Sequence, residues 1–581
     1  MHEFRVWAPR AQKVAVRVGN TSHPMERFGD RGWWTAVVED AFPGSDYAYM
    51  LDDDPTPYPD PRAMWMPNGV HGASRLYDKG KFAWNDKAWE APPLASAIIY
   101  EMHIGTFTPG GTFDSAIERL PHLARLGISH LEIMPVAEFP GDFGWGYDGV
   151  TLFATREAYG GPDGLKRFVD ACHAHGLAVL LDVVYNHFGP VGNYAGRFAP
   201  YLTSNHCTPW GDAVNLEFED SDHVRRFFCD NALMWMEEFH IDGLRLDAVH
   251  EFVDRSAINF MEQLAVEVEG LSTRLGRRLV LIAESDLNDP RVVRQREANG
   301  YGLDAQWNDD FHHSLFTVLK TGGEGKGYYS DFGSMERLAK ALTQVFVYDG
   351  IYSEYRKKIH GRRVEAVSMH HFVGFIQNHD QVGNRATGDR LEHIIGMEQA
   401  KVALGLVLTG PFIPLLFQGE EFAASTPFQY FAHHEEEAMA RAVSDGRKRE
   451  FAAFGWAPDE VPDPESKDTF ERSKLNWSEI EQGRHAEMLD WCRRLIALRR
   501  SSTPLNNGEL GHVKVSFDES KRWLVMDRDT IRVVLNLGDA AASIENCRNY
   551  RMVLPSEDDI CLESDTLMIP PSRLAVLSKE L

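Results

Sequence analysis

The 581-residue chain is poor in cysteine, in positive charge and in long apolar runs. Its six cysteines (Cys172, Cys207, Cys229, Cys492, Cys547, Cys561) are too sparse for a disulfide framework, and no close pair has metal-ligand spacing. Free thiols in a reducing compartment follow from this. Lys and Arg number 60 against 86 Asp and Glu, a formal net charge of −26. A phosphate-tracking surface needs the opposite sign, so nucleic acid is disfavoured and a neutral ligand such as a sugar fits better. The opening MHEFRVWAPRAQKV has no apolar leader or small-residue cleavage site, and no run reaches the length of a membrane span. The expectation is a cytoplasmic protein without membrane contact. Oligomeric state is not set by these features.

Hydrophobic residues make up 43% and charged residues 25%, a globular composition, and the length exceeds one ordinary domain. Residues 1–90 read as a small β-sandwich: FRVWAP and VAVRV alternate, WWTAVV follows a turn, and the proline-dense PTPYPDPRAMWMPNG is an irregular connector. Residues 510–581, with HVKVSF, RWLVMD and IRVVLNL, read as a C-terminal β-sandwich. Between them, in 91–509, eight apolar runs alternate with amphipathic stretches. The runs are AIIYEMHI, HLEIMPV, LAVLLDVVYNH, IDGLRLDAV, LVLIAES, LDAQWN, FVGFIQNHD and IPLLFQGEE. Asp163 is placed to cap one intervening helix, which Gly176 ends; another covers about 221–239. Strand–helix alternation repeated eight times predicts a (β/α)8 TIM barrel in a multidomain α/β chain. An open doubly wound sheet is the alternative, but no GxGxxG follows a first strand.

In such a barrel, polar residues at the C-terminal strand ends form the site. Here the third run ends in Asp182, Asn186 and His187, the fourth in Arg245 and Asp247, the fifth in Glu284, the seventh in His379 and Asp380. Arg245 and Asp247 are two apart and therefore share one strand face, opposite Leu244 and Leu246. Burying charges costs several kcal/mol each, and apolar residues would serve stability as well, so the convergence points to chemistry.

Glycoside hydrolysis needs two carboxylates in different surroundings. Asp247 beside Arg245 should be held ionised, which suits a nucleophile. Glu284, next to apolar Ile282 and near other acids, should hold its proton, which suits a general acid. Tyr147, Trp210 and Trp307 add aromatic faces near strand ends.

DVVYNH, GLRLDAVH, the Glu284 strand and QNHD resemble, in order, the four signature regions of the α-amylase superfamily of retaining glycosidases. The resemblance implies Asp247 as nucleophile, Glu284 as acid/base and Asp380 as a third carboxylate gripping sugar hydroxyls. Arg245, His187 and His379 would bind the scissile sugar, Tyr147 would stack on it, and Asp182 would support the site. Net retention and carboxyl groups about 5–5.5 Å apart would follow.

AESDLNDPR, GYGLDAQWNDDFHH, QNHDQVGNRATGDR, FQGEEF and GRKREFAAFGW further resemble the branch that cuts the α-1,4 bond next to a terminal trehalose unit. FRVWAP and PDPRAMWMPNGVHG resemble both that branch and its glycogen-branching and debranching relatives. AHHEEE around His433 departs from the aspartate–histidine pair expected there. The leaving-group side would carry Asp286, Asn308, Asp309, Gln429 and Tyr430, with His250 also on that side. No cofactor and no catalytic metal are expected: His173 and His175 do not share a helix face, and His312 and His313 diverge. Asn186 matches a calcium-binding position of some amylases, a site generally missing from the branching and trehalose-forming relatives. A branching or debranching activity, or a non-catalytic glycan-binding barrel, are the alternative functions.

Overall fold

Alternation along each central run decides which residues enter the barrel. In the computed structural model, which describes residues 1–320, 327–452 and 456–579, all eight runs form parallel strands. They are β1 Ile99–Met102, β2 His130–Ile133, β3 Ala178–Val183, β4 Gly243–Leu246, β5 Val280–Ala283, β6 Ala305–Trp307, β7 Phe372–Gly374 and β8 Ile413–Phe417. Each pairs with its sequence neighbour, and β8 pairs with β1, so the sheet closes. Closure excludes the open doubly wound alternative. Ala453–Gly455, in the GRKREFAAFGW run, lie outside the described residues.

One strand face packs outward. Val179, Leu181, Leu244, Leu246 and Leu281 join the large core shared with the surrounding helices. The other face fills the barrel, where Ile99, Leu180, Val280, Ile282, Ala305, Val373, Ile413 and Leu415 form a separate apolar cluster. Above that plug come the polar positions of the same faces, with Asp182 opposite Arg245 in the β3–β4 register and Glu101 opposite Glu132 in β1–β2. Gly243 is required by this interior: a Cβ there would lie 2.4 Å from Val280 Cγ2 and 2.8 Å from Leu180 Cδ2.

Two helices follow the predicted pattern, with one correction. Helix α1 covers Gly161–Ala174 and α2 Ser221–Glu238. Asp163 does not cap α1. Gly160, at φ 118°, takes that place, Pro162 sits in the first turn, and Asp163 accepts a hydrogen bond from the Tyr77 hydroxyl at 2.8 Å. Gly176 lies past the end at φ 76°. His173 is buried under Trp89, its two ring nitrogens each 2.9 Å from a carboxylate, Asp86 and Asp242. That pair ties the connector to the start of β4. His312 and His313 lie buried in a third helix, α3 Asp309–Lys320.

The N-terminal strands form two antiparallel sheets. One orders His2–Trp7, Trp33–Val38 and Glu26–Phe28; the other orders Thr21–Pro24, Val14–Val18, Asp46–Leu51 and Ser74–Arg75. The C-terminal strands form a five-stranded and a three-stranded sheet, with Val525, Val534, Ile544 and Leu567 in a shared core. Among the described residues no helix is long and apolar enough to cross a membrane.

Gly243→Ala should destabilise the fold by about 1–3 kcal/mol, because the new methyl meets strand backbone and branched side chains that cannot all move. Urea unfolding followed by tryptophan fluorescence checks this; an unchanged midpoint would show that the barrel interior has slack at β4.

Candidate active site

The polar positions meet at the C-terminal mouth of the barrel around Arg245, which is fully buried. Its Nη1 donates to Asp182 at 3.0 and 2.9 Å and to Asp247 Oδ1 at 2.7 Å, and its Nη2 lies 4.0 Å from Glu284 Oε2. The guanidinium stacks on Trp307, 4.3 Å from the ring centre. One cation therefore spans three carboxyl groups from three successive strands. Asn186 donates from Nδ2 to Asp247 Oδ2 at 2.7 Å, which pins the carboxylate from its other side.

The turn after Asp247 is strained. Ala248 sits at φ 42° in the left-handed region, a conformation that costs a non-glycine residue about 1–3 kcal/mol. The strain aims the Ala248 N–H at Glu284 Oε2, 2.6 Å away. Asp247 and Glu284 are thus coupled through backbone as well as through Arg245.

Exposure rises outward from the barrel. The side chain of Asp182 is 1% exposed, Asp247 12%, Glu284 16% and Asp380 42%. Burial pushes Glu284 up to about 7; Arg245 opposes this, and Asp247 and Asp380 add to it. Burial also raises Asp182 to about 7, with Arg245 pulling the other way. The two differ in attachment. Asp182 takes two contacts from Arg245, whereas Glu284 keeps its distance, so Glu284 is the less tightly held of the two acids.

Tyr147 lies over His379, with ring centres 5.2 Å apart. Its hydroxyl donates to Asp182 at 2.6 Å and meets His379 Nε2 at 2.7 Å. His187 pairs with the Asn186 side-chain oxygen and stacks on Trp210, 4.5 Å between ring centres, at the end of a hairpin. Asp380 projects at the rim beside His379 and accepts from Asn384 at 3.1 Å.

The leaving-group candidates divide. His250, Asp286 and Asp309 gather beside Glu284. The Asp286 N–H donates to His250 Nδ1 at 3.3 Å, and burial, Glu284 and Asp286 drive Asp309 well above the carboxylate range. Asn308 is not there. It is fully buried, donates to the Val345 carbonyl at 3.1 Å and accepts from the Phe311 N–H, so it caps α3. Gln429 and Tyr430 are also elsewhere. The Gln429 carbonyl accepts from the Trp145 indole at 2.9 Å, and Tyr430 packs edge-on to the same ring, behind Tyr147. The loop after β8 lies against the β2 loop, with Gly144 bridged to Ala432, whereas Asp286 follows β5. In the AHHEEE stretch, His433 Nδ1 accepts from the Asp142 N–H at 2.9 Å, and His434 pairs with Glu465 at 2.8 Å.

Residues that sequence reasoning missed also converge. Arg356 donates from Nη2 to Asp286 Oδ1 and to the Tyr328 hydroxyl, each at 2.6 Å. Glu101 grips His379 twice, from Oε2 to the backbone N–H at 2.9 Å and from Oε1 to Nδ1 at 2.5 Å. Glu101 carried a signal, a charge inside the apolar run AIIYEMHI; Arg356 carried none.

Residues 74–200 match the α-amylase catalytic domain, 2–59 carbohydrate-binding module 48 (the isoamylase N-terminal domain), and 508–546 a domain of unknown function, DUF3459. The chain is 46% identical to malto-oligosyltrehalose trehalohydrolase of Rhizobium sp. (strain M-11), over 99% of this chain and 97% of that one. The chain belongs to the malto-oligosyltrehalose trehalohydrolase family. A solved structure, the putative alpha amylase from Salmonella typhimurium, superposes with a TM-score of 0.91 at 37% identity, covering 99% of this chain and 97% of that one. The 1,4-alpha-glucan branching enzyme of Bacillus caldolyticus is more distant, 30% identical over 72% of this chain and 64% of its own. The trehalohydrolase family is thus set apart from the branching enzymes by both identity and coverage.

The raised Glu284 makes the folded state bind a proton that the unfolded state, at about 4.5, has lost. Stability is therefore withdrawn as pH rises from about 4.5 to about 7. Glu284→Gln should melt higher than wild type at about pH 8, and the gain should vanish by about pH 4. Thermal melts at both values check it.

Proposed function

We propose that this chain is a retaining glycosidase that hydrolyses the α-1,4 bond next to the terminal trehalose unit of maltooligosyltrehalose and releases trehalose. The reading is carried by near-full-length likeness to trehalohydrolases combined with two carboxyl groups held differently by one guanidinium. Asp247 attacks the anomeric carbon from its pinned position while Glu284 gives its proton to the departing trehalose oxygen. Glu284, now ionised, takes a proton from water, and the water oxygen displaces Asp247 and frees the maltooligosaccharide with retained configuration.

Asp380 at the rim suits a grip on sugar hydroxyls, Tyr147 and the His187–Trp210 stack offer ring faces, and Asp286 with Arg356 suits the leaving group. The reading includes action in the cytoplasm on a neutral α-glucan, domain boundaries near residues 90 and 510, and no cofactor. The six free cysteines support a reducing setting.

Incubation with one defined maltooligosyltrehalose should yield free trehalose, and plain maltooligosaccharide should be cut poorly. New α-1,6 bonds instead of trehalose would assign the chain to branching. Asp247→Asn should abolish turnover by several orders of magnitude while substrate still binds, and Glu284→Gln should cost about 10²–10⁴-fold. The rate constant kcat should fall as pH rises through about 7, where Glu284 loses its proton.

A further inference from the structure

Glu101 lies below the catalytic residues, 1% exposed, in the first barrel strand. Buried to that degree, it offers a ligand no surface. Its two oxygens are both taken by His379, one by the backbone N–H and one by Nδ1. With Asp182 and Glu101 as carboxylates, the hydrogen-bond partners of His379 point to one state of the ring. Asp182 accepts from Arg245 with both oxygens, so it acts as an acceptor. The Tyr147 hydroxyl has one proton and donates it to Asp182 at 2.6 Å. Its oxygen therefore accepts from His379 Nε2 at 2.7 Å, which must carry hydrogen. Nδ1 faces a carboxylate oxygen and carries hydrogen as well. Both ring nitrogens donate only in the imidazolium.

We propose that Glu101 is a positioning residue: it holds His379 with both ring nitrogens donating, and through Tyr147 and Asp182 it fixes the orientation of Arg245 and hence of Asp247. The chain of contacts runs from β1 through the β7 end and the β2 loop to β3 and β4. This rests on the glycosidase reading above for its catalytic consequence, though not for the state of the ring.

The groups around His379 agree. Burial works against its charge, yet Glu101 and Asp380 outweigh burial and raise it to about 9, while Arg245 from β4 opposes. Asp182 from β3 adds a further acid, and Glu132 from β2, buried with neither oxygen hydrogen-bonded among the described residues, is driven well above the carboxylate range. His103 beyond β1 is buried and pushed down to about 3, so it brings no competing cation. Without the Glu101 charge, burial would win and His379 would turn neutral near physiological pH. Tyr147 would then be free to donate to His379 instead of Asp182.

The test uses full-length Glu101→Gln and Glu101→Asp variants. Histidine ring ¹⁵N NMR reads the state directly, with the His379 signal assigned by its loss in His379→Gln. Wild type should show both ring nitrogens protonated up to about pH 8. Glu101→Gln should titrate between about pH 5 and 7, and Glu101→Asp should behave as wild type. In parallel, kcat/KM on a defined maltooligosyltrehalose should fall about tenfold or more at about pH 8 in Glu101→Gln, with the loss shrinking toward about pH 5, where His379 regains its proton. A pH-independent loss, or a neutral His379 ring in wild type at about pH 7, would overturn the proposal. Absence of trehalose from wild type would instead sink the glycosidase reading, while the ring titration still decides the role of Glu101. If Glu101→Gln does not fold, the wild-type and Glu101→Asp titrations decide alone.

Discussion

A guanidinium sealed inside the barrel organises everything above it. Arg245 has no exposure to water, and removing that hydration costs several kcal/mol. The cost is offset only if counter-charges are placed within hydrogen-bond reach and held there. Asp182 and Asp247 meet that condition, and the stack on Trp307 closes the remaining face. The same demand makes the site rigid. If Asp247 swings away, the buried cation loses one of its two close carboxylate partners, and Asn186 holds the other Asp247 oxygen. On the proposed reading of Asp247 as nucleophile, a group fixed before substrate arrives needs little reorganisation in the transition state.

Burial alone does not assign roles between Asp182 and Glu284, because it raises both. Asp182 and Glu284 reach similar values for the same first cause. Their partners separate them. Asp182 is gripped by both oxygens and also receives Tyr147, so its charge is committed to holding the site together. Glu284 has one backbone N–H and a guanidinium 4.0 Å off, enough to orient it and too little to force ionisation. The strained Ala248 turn is what supplies that N–H. Strain next to Asp247 is thus tied to a specific contact.

The architecture was legible in the sequence because each barrel strand is a short apolar run with charges intruding only on its inner face. GLRLDAVH shows this: Leu244 and Leu246 pack outward, and Arg245 turns in to meet Asp182. Period-two alternation says which face a residue takes; it does not say which distant residue waits there. Glu101 and His379 are 278 positions apart, and nothing in either run links them. Loops were least legible. Asn308 reads as a polar site residue but caps a helix, and Gln429 and Tyr430 sit behind Trp145, because loop direction depends on tertiary packing. Asp163 failed as a cap for a local reason: Gly160 already adopts the left-handed turn two residues before Pro162.

Selectivity for a leaving group must come from outside the shared catalytic set. An apolar pocket discriminates weakly, by about 1–3 kcal/mol per methylene-sized difference, whereas a site that hydrogen-bonds a hydroxyl rejects an analogue lacking it far more strongly. On the proposed reading, the side next to Glu284 is of the second kind. Arg356 donates to both Asp286 and Tyr328 at 2.6 Å, and His250 and Asp309 stand close by. These groups are oriented by their own contacts, so a sugar does not have to order them on arrival. A disaccharide without a reducing end presents a fixed set of hydroxyls to such a surface. A linear glucan presents different ones, and each mismatch leaves a partly buried polar group without a partner.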